Sequence, residues 1–328
     1  MSDKILVTGG CGYIGSHVTR QLTESGRTVV VYDNLSTGFR DALIHGEELI
    51  EGDLSDHAAL DAAFKKHQFS TVLHFAAAII APESCLLPLK YYGNNTRNTL
   101  GLLETCVRNN VQRFIFSSTA AVYGLPEDGV ASEESRQAPI NPYGTSKLMS
   151  EWMLRDTSAA HGLQYVALRY FNVAGADPQA RMGQRTPEAT HLIKVACQAA
   201  LGMRENVTIY GTDYPTADGT GIRDYIHIED LASAHLHALH YLEKGGAPTA
   251  MNVGYGSGSS VREVLEVVRK VSGVDFTIIE SERRPGDPAS LVAQADRISQ
   301  LTGWQPKHAD LTAIVADAWR WESTLAGR

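Results

Sequence analysis

Lys4-Ile5-Leu6-Val7-Thr8-Gly9-Gly10-Cys11-Gly12-Tyr13-Ile14-Gly15 is an apolar run that breaks into glycines and passes at once into a helical pattern. It reads as a strand over residues 4–8, a tight turn, and a helix over residues 13–24. Gly10, Gly12 and Gly15 satisfy G-x-G-x-x-G, and Gly9, Gly12 and Gly15 satisfy G-x-x-G-x-x-G. Glycine serves such a turn twice. It accepts positive φ, and it lets a pyrophosphate reach the backbone without meeting a Cβ. The amides of the helix start then face the phosphates. A purely structural turn would use only the first property, so the neighbouring sequence has to decide. A second strand over residues 28–32 runs into Asp33, 18 residues past Gly15. A carboxylate there accepts from the adenosine ribose hydroxyls and repels a 2′-phosphate, which favours NAD over NADP. Asp53, just after a third strand, is a candidate for the adenine edge and equally a turn residue before the next helix.

Outward from this stretch the first half keeps one rhythm. Residues 4–8, 28–32, 48–51, 71–75, 113–118 and 163–170 read as strands, and 13–24, 58–67, 88–109 and 142–160 read as helices. Strands alternating with helices predict an α/β fold, a doubly wound parallel sheet covered on both faces. The rhythm breaks after Tyr170. Residues 172–188 read as a loop leaving the sheet, followed by a helix near 188–202, a strand at 207–210 and a turn-rich stretch at 211–221. We therefore expect a Rossmann domain of residues 1–173 plus about 224–253. A smaller, discontinuous α/β substrate domain would take about 174–223 and 254–328.

The 328 residues carry a net charge of −8. That argues against a nucleic-acid partner, which needs a basic stripe, yet leaves room for an anionic small ligand held by a few arginines. Cys11, Cys85, Cys106 and Cys197 are dispersed, so neither a disulfide framework nor a metal site is expected. The opening Met-Ser-Asp-Lys lacks a basic region before an apolar one. The longest apolar run, residues 75–81, is too short to span a bilayer. A cytoplasmic protein without membrane attachment is expected.

Tyr143 and Lys147 stand four apart, after Asn141-Pro142, which reads as an N-cap followed by proline at the first helical position. Both side chains then share one helix face. A free tyrosine, with a pKa near ~10, is a poor base at neutral pH. A nearby ammonium and a nicotinamide cation favour the phenolate. Tyr-x-x-x-Lys also arises by chance on an ordinary amphipathic helix. Here it follows a fifth strand ending Phe116-Ser117-Ser118-Thr119, and ligands of parallel sheets sit beyond the carboxyl ends of strands. His235, His237 and His240 share a helix without the i, i+4 spacing of a zinc pair, and read as packing or surface residues.

Taken together, the glycine loop, the strand-end hydroxyls and the Tyr-Lys pair resemble the extended short-chain dehydrogenase/reductase superfamily. Gly9–His17, Tyr32-Asp33-Asn34-Leu35, Asn141–Lys147, Leu168–Asn172 and the long run Asp213–His227 are similar to the UDP-glucose 4-epimerases. The resemblance spans essentially the whole chain. It implies a homodimer packed through residues 88–109 and 142–160, and reversible 4-epimerisation of a UDP-hexose through a 4-keto intermediate with bound NAD, as in galactose metabolism. Tyr143 is implied as acid/base, Thr119 as its hydroxyl partner, and Lys147 on the nicotinamide ribose. With the glycines and Asp33, NAD would be lined by Tyr13, Ile14, Asn34, Leu54, Phe75, Ala76, Asn95, Ser117 and Phe171. Asn172, Leu192, Tyr210, Arg223, Arg284 and Asp287 match positions that contact UDP. Arginines clamp a pyrophosphate, Tyr210 can stack on uracil, and Asp287 can accept from ribose.

Some positions depart from that pattern. Ile79 stands where many relatives carry Lys, and His191 replaces a common Asn at a UDP contact. Ser290, the third residue past Asp287, is small where members restricted to simple hexoses tend to have Tyr. It is expected to leave room for a 2-acetamido group, which would admit UDP-N-acetylglucosamine and UDP-N-acetylgalactosamine. A dehydratase needs an extra acid beside the strand-five hydroxyl, and here Ala120 and Ala121 follow Thr119. A 4-epimerase of UDP-xylose, UDP-arabinose or a uronate, and a non-catalytic NAD-binding regulator, remain the rival readings.

Overall fold

The computed structural model describes residues 4–186, 189–284 and 286–327. β1 (Lys4–Thr8), α1 (Tyr13–Glu24), β2 (Thr28–Asp33), β3 (Glu48–Glu51), α2 (His57–His67) and β4 (Thr71–His74) open the chain. Then come α3 (Ala81–Leu86), α4 (Pro88–Tyr91), a π-helical stretch Tyr92–Arg97, and α5 (Asn98–Arg108). β5 (Arg113–Ser117), β6 (Val130–Ala131), α6 (Pro142–His161), β7 (Gln164–Tyr170) and β8 (Asn172–Ala174) follow. The rest comprises α7 (Leu192–Ala200), β9 (Val207–Tyr210), β10 (Ile222–His227), α8 (Ile228–Glu243), β11 (Thr249–Val253), β12 (Gly258–Ser260), α9 (Val261–Ser272), β13 (Ile278–Ser281), β14 (Ser290–Ala293), α10 (Asp296–Thr302) and α11 (Leu311–Ala326).

The large sheet has the order β11-β7-β5-β4-β1-β2-β3, and all its ladders are parallel. Side chains alternate between its two faces, and both faces are apolar because helices cover both. Ile5, Val7, Val29, Val31 and Val166 pack one way, against Val18 and Leu22 of α1 and Leu231 and Leu239 of α8. Leu6, Val30, Val72, Phe114 and Ala167 pack the other way, against Leu60 of α2, Leu102 of α5 and Leu154 of α6. This is the doubly wound arrangement. The strand order reverses between β1 and β4, which opens a crevice at their carboxyl ends.

A second, smaller sheet completes that crevice. β10 pairs with β12, β14 and β8, and β14 pairs with β6. Behind it α7, α9 and α11 share a third core around Ile193, Val264 and Ile314. Residues 222–227 therefore serve the small sheet, while β11 returns to the large one. Asn172–Ala174, expected within a loop, are a strand because they pair with Tyr225–His227. The helix expected near 188–202 runs from Leu192 to Ala200, and Glu188 lies outside the described residues.

The helix expected over residues 88–109 is interrupted. The π-helical stretch turns Asn95 inward, where its Oδ1 accepts from Ala78 N at 2.8 Å and its Nδ2 donates to Ala78 O and Ser146 Oγ, each at 3.0 Å. The wider turn is what lets this amide face the crevice wall. Among the described residues, no helix is long and apolar enough to cross a membrane.

Candidate active site

The crevice is a cleft of about 1570 Å³. Its floor is the glycine turn. Gly9 has φ +73°, and a Cβ there would meet Ala76 N at 2.5 Å. A Cβ on Gly15 would meet Gly9 O at 2.2 Å, because α1 starts directly against β1. Gly12 is different: a Cβ would meet Gly9 O at 3.3 Å, and no side chain caps the helix it begins. The first-turn amides thus point into the cleft without a protein partner, as an anion cradle requires. Asp33 is buried at the end of β2. Its Oδ2 accepts from Cys11 N at 2.9 Å and its Oδ1 from Leu35 N at 2.8 Å. Burial lifts its carboxyl above the usual range, and those two bonds oppose the rise. Asp53 both lines the cleft and ties its turn, accepting from Ser55 N at 2.8 Å and Asn34 Nδ2 at 2.7 Å.

The three chemical side chains meet on the opposite wall. Asn141 Oδ1 caps α6 by accepting from Gly144 N at 2.9 Å, which starts the helix at Pro142 and aims Tyr143 at the cleft. Tyr143 shares a hydrogen bond with the Thr119 hydroxyl. Lys147, one turn on, donates from Nζ to Ser117 O at 2.8 Å and lies 4.9 Å from the Phe116 ring centre. Ser117, Ala120, Ala121 and Phe171 line the same wall.

Across the cleft, Arg223 from β10 donates to Ile222 O at 2.8 Å, and Arg284 stacks 4.9 Å from the Tyr210 ring centre while donating to Asp287 Oδ2 at 2.8 Å. Asn172 and Leu192 line this end with them. Two guanidinium groups converge here opposite the exposed Tyr210 ring, a surface suited to a diphosphate and a planar base.

The sequence profile of the NAD dependent epimerase/dehydratase family matches residues 5–254. The chain belongs to that family. A UDP-glucose 4-epimerase of Azospirillum brasilense is 55% identical over 324 residues, covering 99% of this chain and 93% of that protein. The crystal structure of a UDP-glucose 4-epimerase from Brucella ovis in complex with NAD superposes with a TM-score of 0.94 at 42% identity, over 97% of this chain and 98% of the other. A UDP-Glc/GlcNAc 4-epimerase from Campylobacter jejuni gives a TM-score of 0.87 at 51% identity, over 98% and 99% of the two chains.

In this epimerase/dehydratase chain the electrostatics of the Tyr-Lys pair are set by burial. Enclosure raises the Tyr143 phenol above its ordinary range, and the Thr119 bond opposes that rise. Lys147 is pushed down to about 7 by burial, with Glu151 pulling the other way. Both shifts favour neutral side chains, so the phenolate depends on positive charge placed beside it. His74, behind Lys147, is pushed down to about 3 by burial and by the Lys147 charge, and bonds Thr8 Oγ1 at 2.6 Å and Thr99 Oγ1 at 2.9 Å.

Most of the residues expected to line the cleft do so, and two do not. Asn95 is buried under Ala78 and braces the wall instead of forming it. Ser290 also points away: its Oγ donates to Gly129 O at 3.4 Å. It pairs with Ile222 in the small sheet, and strand alternation sends the next residue, Leu291, to the cleft. The residue of β14 that faces the cleft is therefore Leu291, one past the one that counting from Asp287 suggested. Ile79 and His191 line the cleft, and His191 Nδ1 meets Gln184 Nε2 at 2.9 Å. The sequence analysis missed Leu291, Gln184, Trp321 and Glu322, which enter the lining from β14, from the loop before α7 and from α11. Only the period-two pattern of residues 290–293 carried a signal for any of them. His235, as a packing residue, is buried between Phe75 and Tyr170.

Proposed function

We propose that this chain is an NAD-dependent 4-epimerase of UDP-hexoses, with UDP-glucose and UDP-galactose as its basic pair. One observation carries the reading: Thr119, Tyr143 and Lys147 meet at the strand-order reversal, between a glycine cradle and a pair of arginines. NAD, when bound, accepts the hydrogen of the sugar carbon and gives it back. Gly9, Gly12, Gly15 and Asp33 hold that cofactor, and Tyr13, Ile14, Asn34, Leu54, Phe75, Ala76, Ser117 and Phe171 enclose it. Lys147 fixes the ribose and favours the Tyr143 phenolate. Tyr143 takes the proton of the sugar 4-hydroxyl and later returns one to that oxygen. Thr119 keeps the phenol and the sugar oxygen in line. Arg223 and Arg284 grip the diphosphate, which the reaction leaves unchanged, so remote binding energy retains the oxidised sugar while it turns over. Asn172, Leu192, Tyr210 and Asp287 position the nucleoside. Residues 1–173, apart from the strands β6 and β8 lent to the small sheet, and about 228–253 carry the cofactor half, and about 174–227 and 254–328 the sugar-nucleotide half.

Ala120 and Ala121 offer no acid beside Thr119, which disfavours elimination of water. Leu291 on the wall is smaller than tyrosine and supports acceptance of a 2-acetamido group. The exposed Leu86, Leu89, Leu100 and Trp152, on the helix layer of α3 to α6, support a homodimer through that layer. Four free thiols fit a cytoplasmic location. The deciding experiment incubates pure protein separately with UDP-galactose, UDP-N-acetylgalactosamine and UDP-xylose and resolves the products. Conversion of none of them would sink the reading, and conversion of UDP-xylose alone would move it to pentoses.

A further inference from the structure

Behind the catalytic wall lies a buried polar chain that the reaction as described leaves unused. Glu151 follows Lys147 by one turn of α6, and both are buried. Its carboxylate takes a bidentate grip from Arg169: Nε donates to Oε1 at 3.0 Å and Nη2 donates to Oε2. Arg169 Nη1 donates to Tyr123 Oη at 3.0 Å, and Tyr123 donates to Asn252 Oδ1 at 2.6 Å. Asn252 Nδ2 reaches the small sheet through Ala131 O at 2.8 Å and Gln294 O at 3.1 Å. One further donor closes on Glu151 from the front: the hydroxyl of Ser118 donates to Oε1.

Ser118 is the residue between the two that touch the chemical pair. The Ser117 carbonyl receives the Lys147 ammonium, and the Thr119 hydroxyl meets Tyr143. The backbone at Thr119 is extended, with φ −158° and ψ 149°, so consecutive side chains face opposite ways. Ser117 and Thr119 address the cleft, and Ser118 addresses the protein behind it. Its amide is fixed as well, donating to Leu168 O at 2.9 Å. Arg169 alone already satisfies the charge of Glu151, so the extra bond from Ser118 adds placement rather than neutralisation.

We propose that Glu151 and Ser118 are positioning residues for catalysis: their bond pins residues 117–119 from behind, so that Tyr143 and Lys147 keep their partners through both halves of the reaction. The inference rests on Tyr143 acting as the acid/base. Because small displacements at a reacting centre cost orders of magnitude in rate, loss of the anchor should lower kcat by roughly tenfold. The sugar nucleotide is gripped across the cleft, so KM should stay within about twofold.

The test is steady-state kinetics of NAD-loaded Ser118→Ala with UDP-galactose beside the unmutated protein, with thermal melting and bound-NAD content measured on both. A large fall in kcat at unchanged KM, with NAD content retained, is the expected result. Unchanged kcat in a folded variant overturns the proposal, and so does an equal change in KM and kcat. If Ser118→Ala does not fold, Ser118→Cys, which fills similar space but offers the carboxylate only a weak donor, is measured the same way; a roughly tenfold fall in kcat at unchanged KM is expected, and an unchanged kcat overturns the proposal. Insoluble protein from both substitutions assigns the pair to folding alone and overturns it. An unmutated protein that turns over no UDP-galactose tells against the functional reading instead, so the two failures are distinct.

Discussion

Tyr143 and Lys147 each sit where burial opposes the charge that chemistry asks of them. Tyr143→Phe keeps the ring and its 6.4 Å edge contact with Tyr91 but loses the proton carrier. Turnover of UDP-galactose should fall by about 100-fold or more, the usual worth of a positioned acid/base, while bound NAD is retained. Measuring both on one preparation separates an enzyme from a regulator. Lys147 titrates near 7 when folded, against 10.5 as its ordinary value. Between those values the unfolded chain holds a proton that the folded chain releases. Stability therefore rises as pH climbs from about 7 towards the lysine range, and below about 7 the cost of burying this group is full and no longer changes with pH. Lys147→Met removes the titration. In melts of nucleotide-stripped protein, the variant's advantage should be largest near pH 6 and shrink by pH 9. A pH-independent difference would contradict the buried ammonium.

Elements decide which glycine and which strand residue matter. The backbone of Gly9 and Gly10 in the turn leaves no space at Gly15, so Gly15→Ala should destabilise the fold by about 1–3 kcal/mol, the range for overpacking. Gly12→Ala should leave Tm near that of the parent and weaken NAD binding, since its Cβ would stand in the cradle. Calorimetry with NAD on both variants checks the contrast. In β14 the alternation makes the matching prediction. Leu291→Tyr should cut turnover of UDP-N-acetylglucosamine by about tenfold more than that of UDP-glucose, a difference of ~1.4 kcal/mol, within what pocket shape alone supplies. Ser290→Tyr should harm both sugars alike, because it pushes on Gly129. Six of the seven strands of the large sheet were legible in the sequence, most of them because they are buried on both faces and read as continuous apolar runs; β11 was not read as a strand. Nor were β6, β8 and β12. Each is two or three residues long and owes its shape to a partner far away in the chain. The Ser290 slip has the same origin: counting from Asp287 gives no register, and the ladder with Ile222 does.

At the scale of the molecule, the helix layer of α3 to α6 leaves Leu86 and Leu89 each 82% exposed. If that layer meets its copy, Leu89→Glu should convert a dimer to a monomer in light scattering with little change in helix content. A protein that is monomeric from the start would remove this prediction without touching the cleft. The small sheet has a different consequence. It gathers residues 130–131, 172–174, 222–227, 258–260 and 290–293 into one surface. A nascent chain that has emerged from the ribosome as far as Val253 already owns every strand of the large sheet. It still lacks two strands of the wall that faces the sugar, so the newborn protein can grip its dinucleotide before it can enclose a substrate.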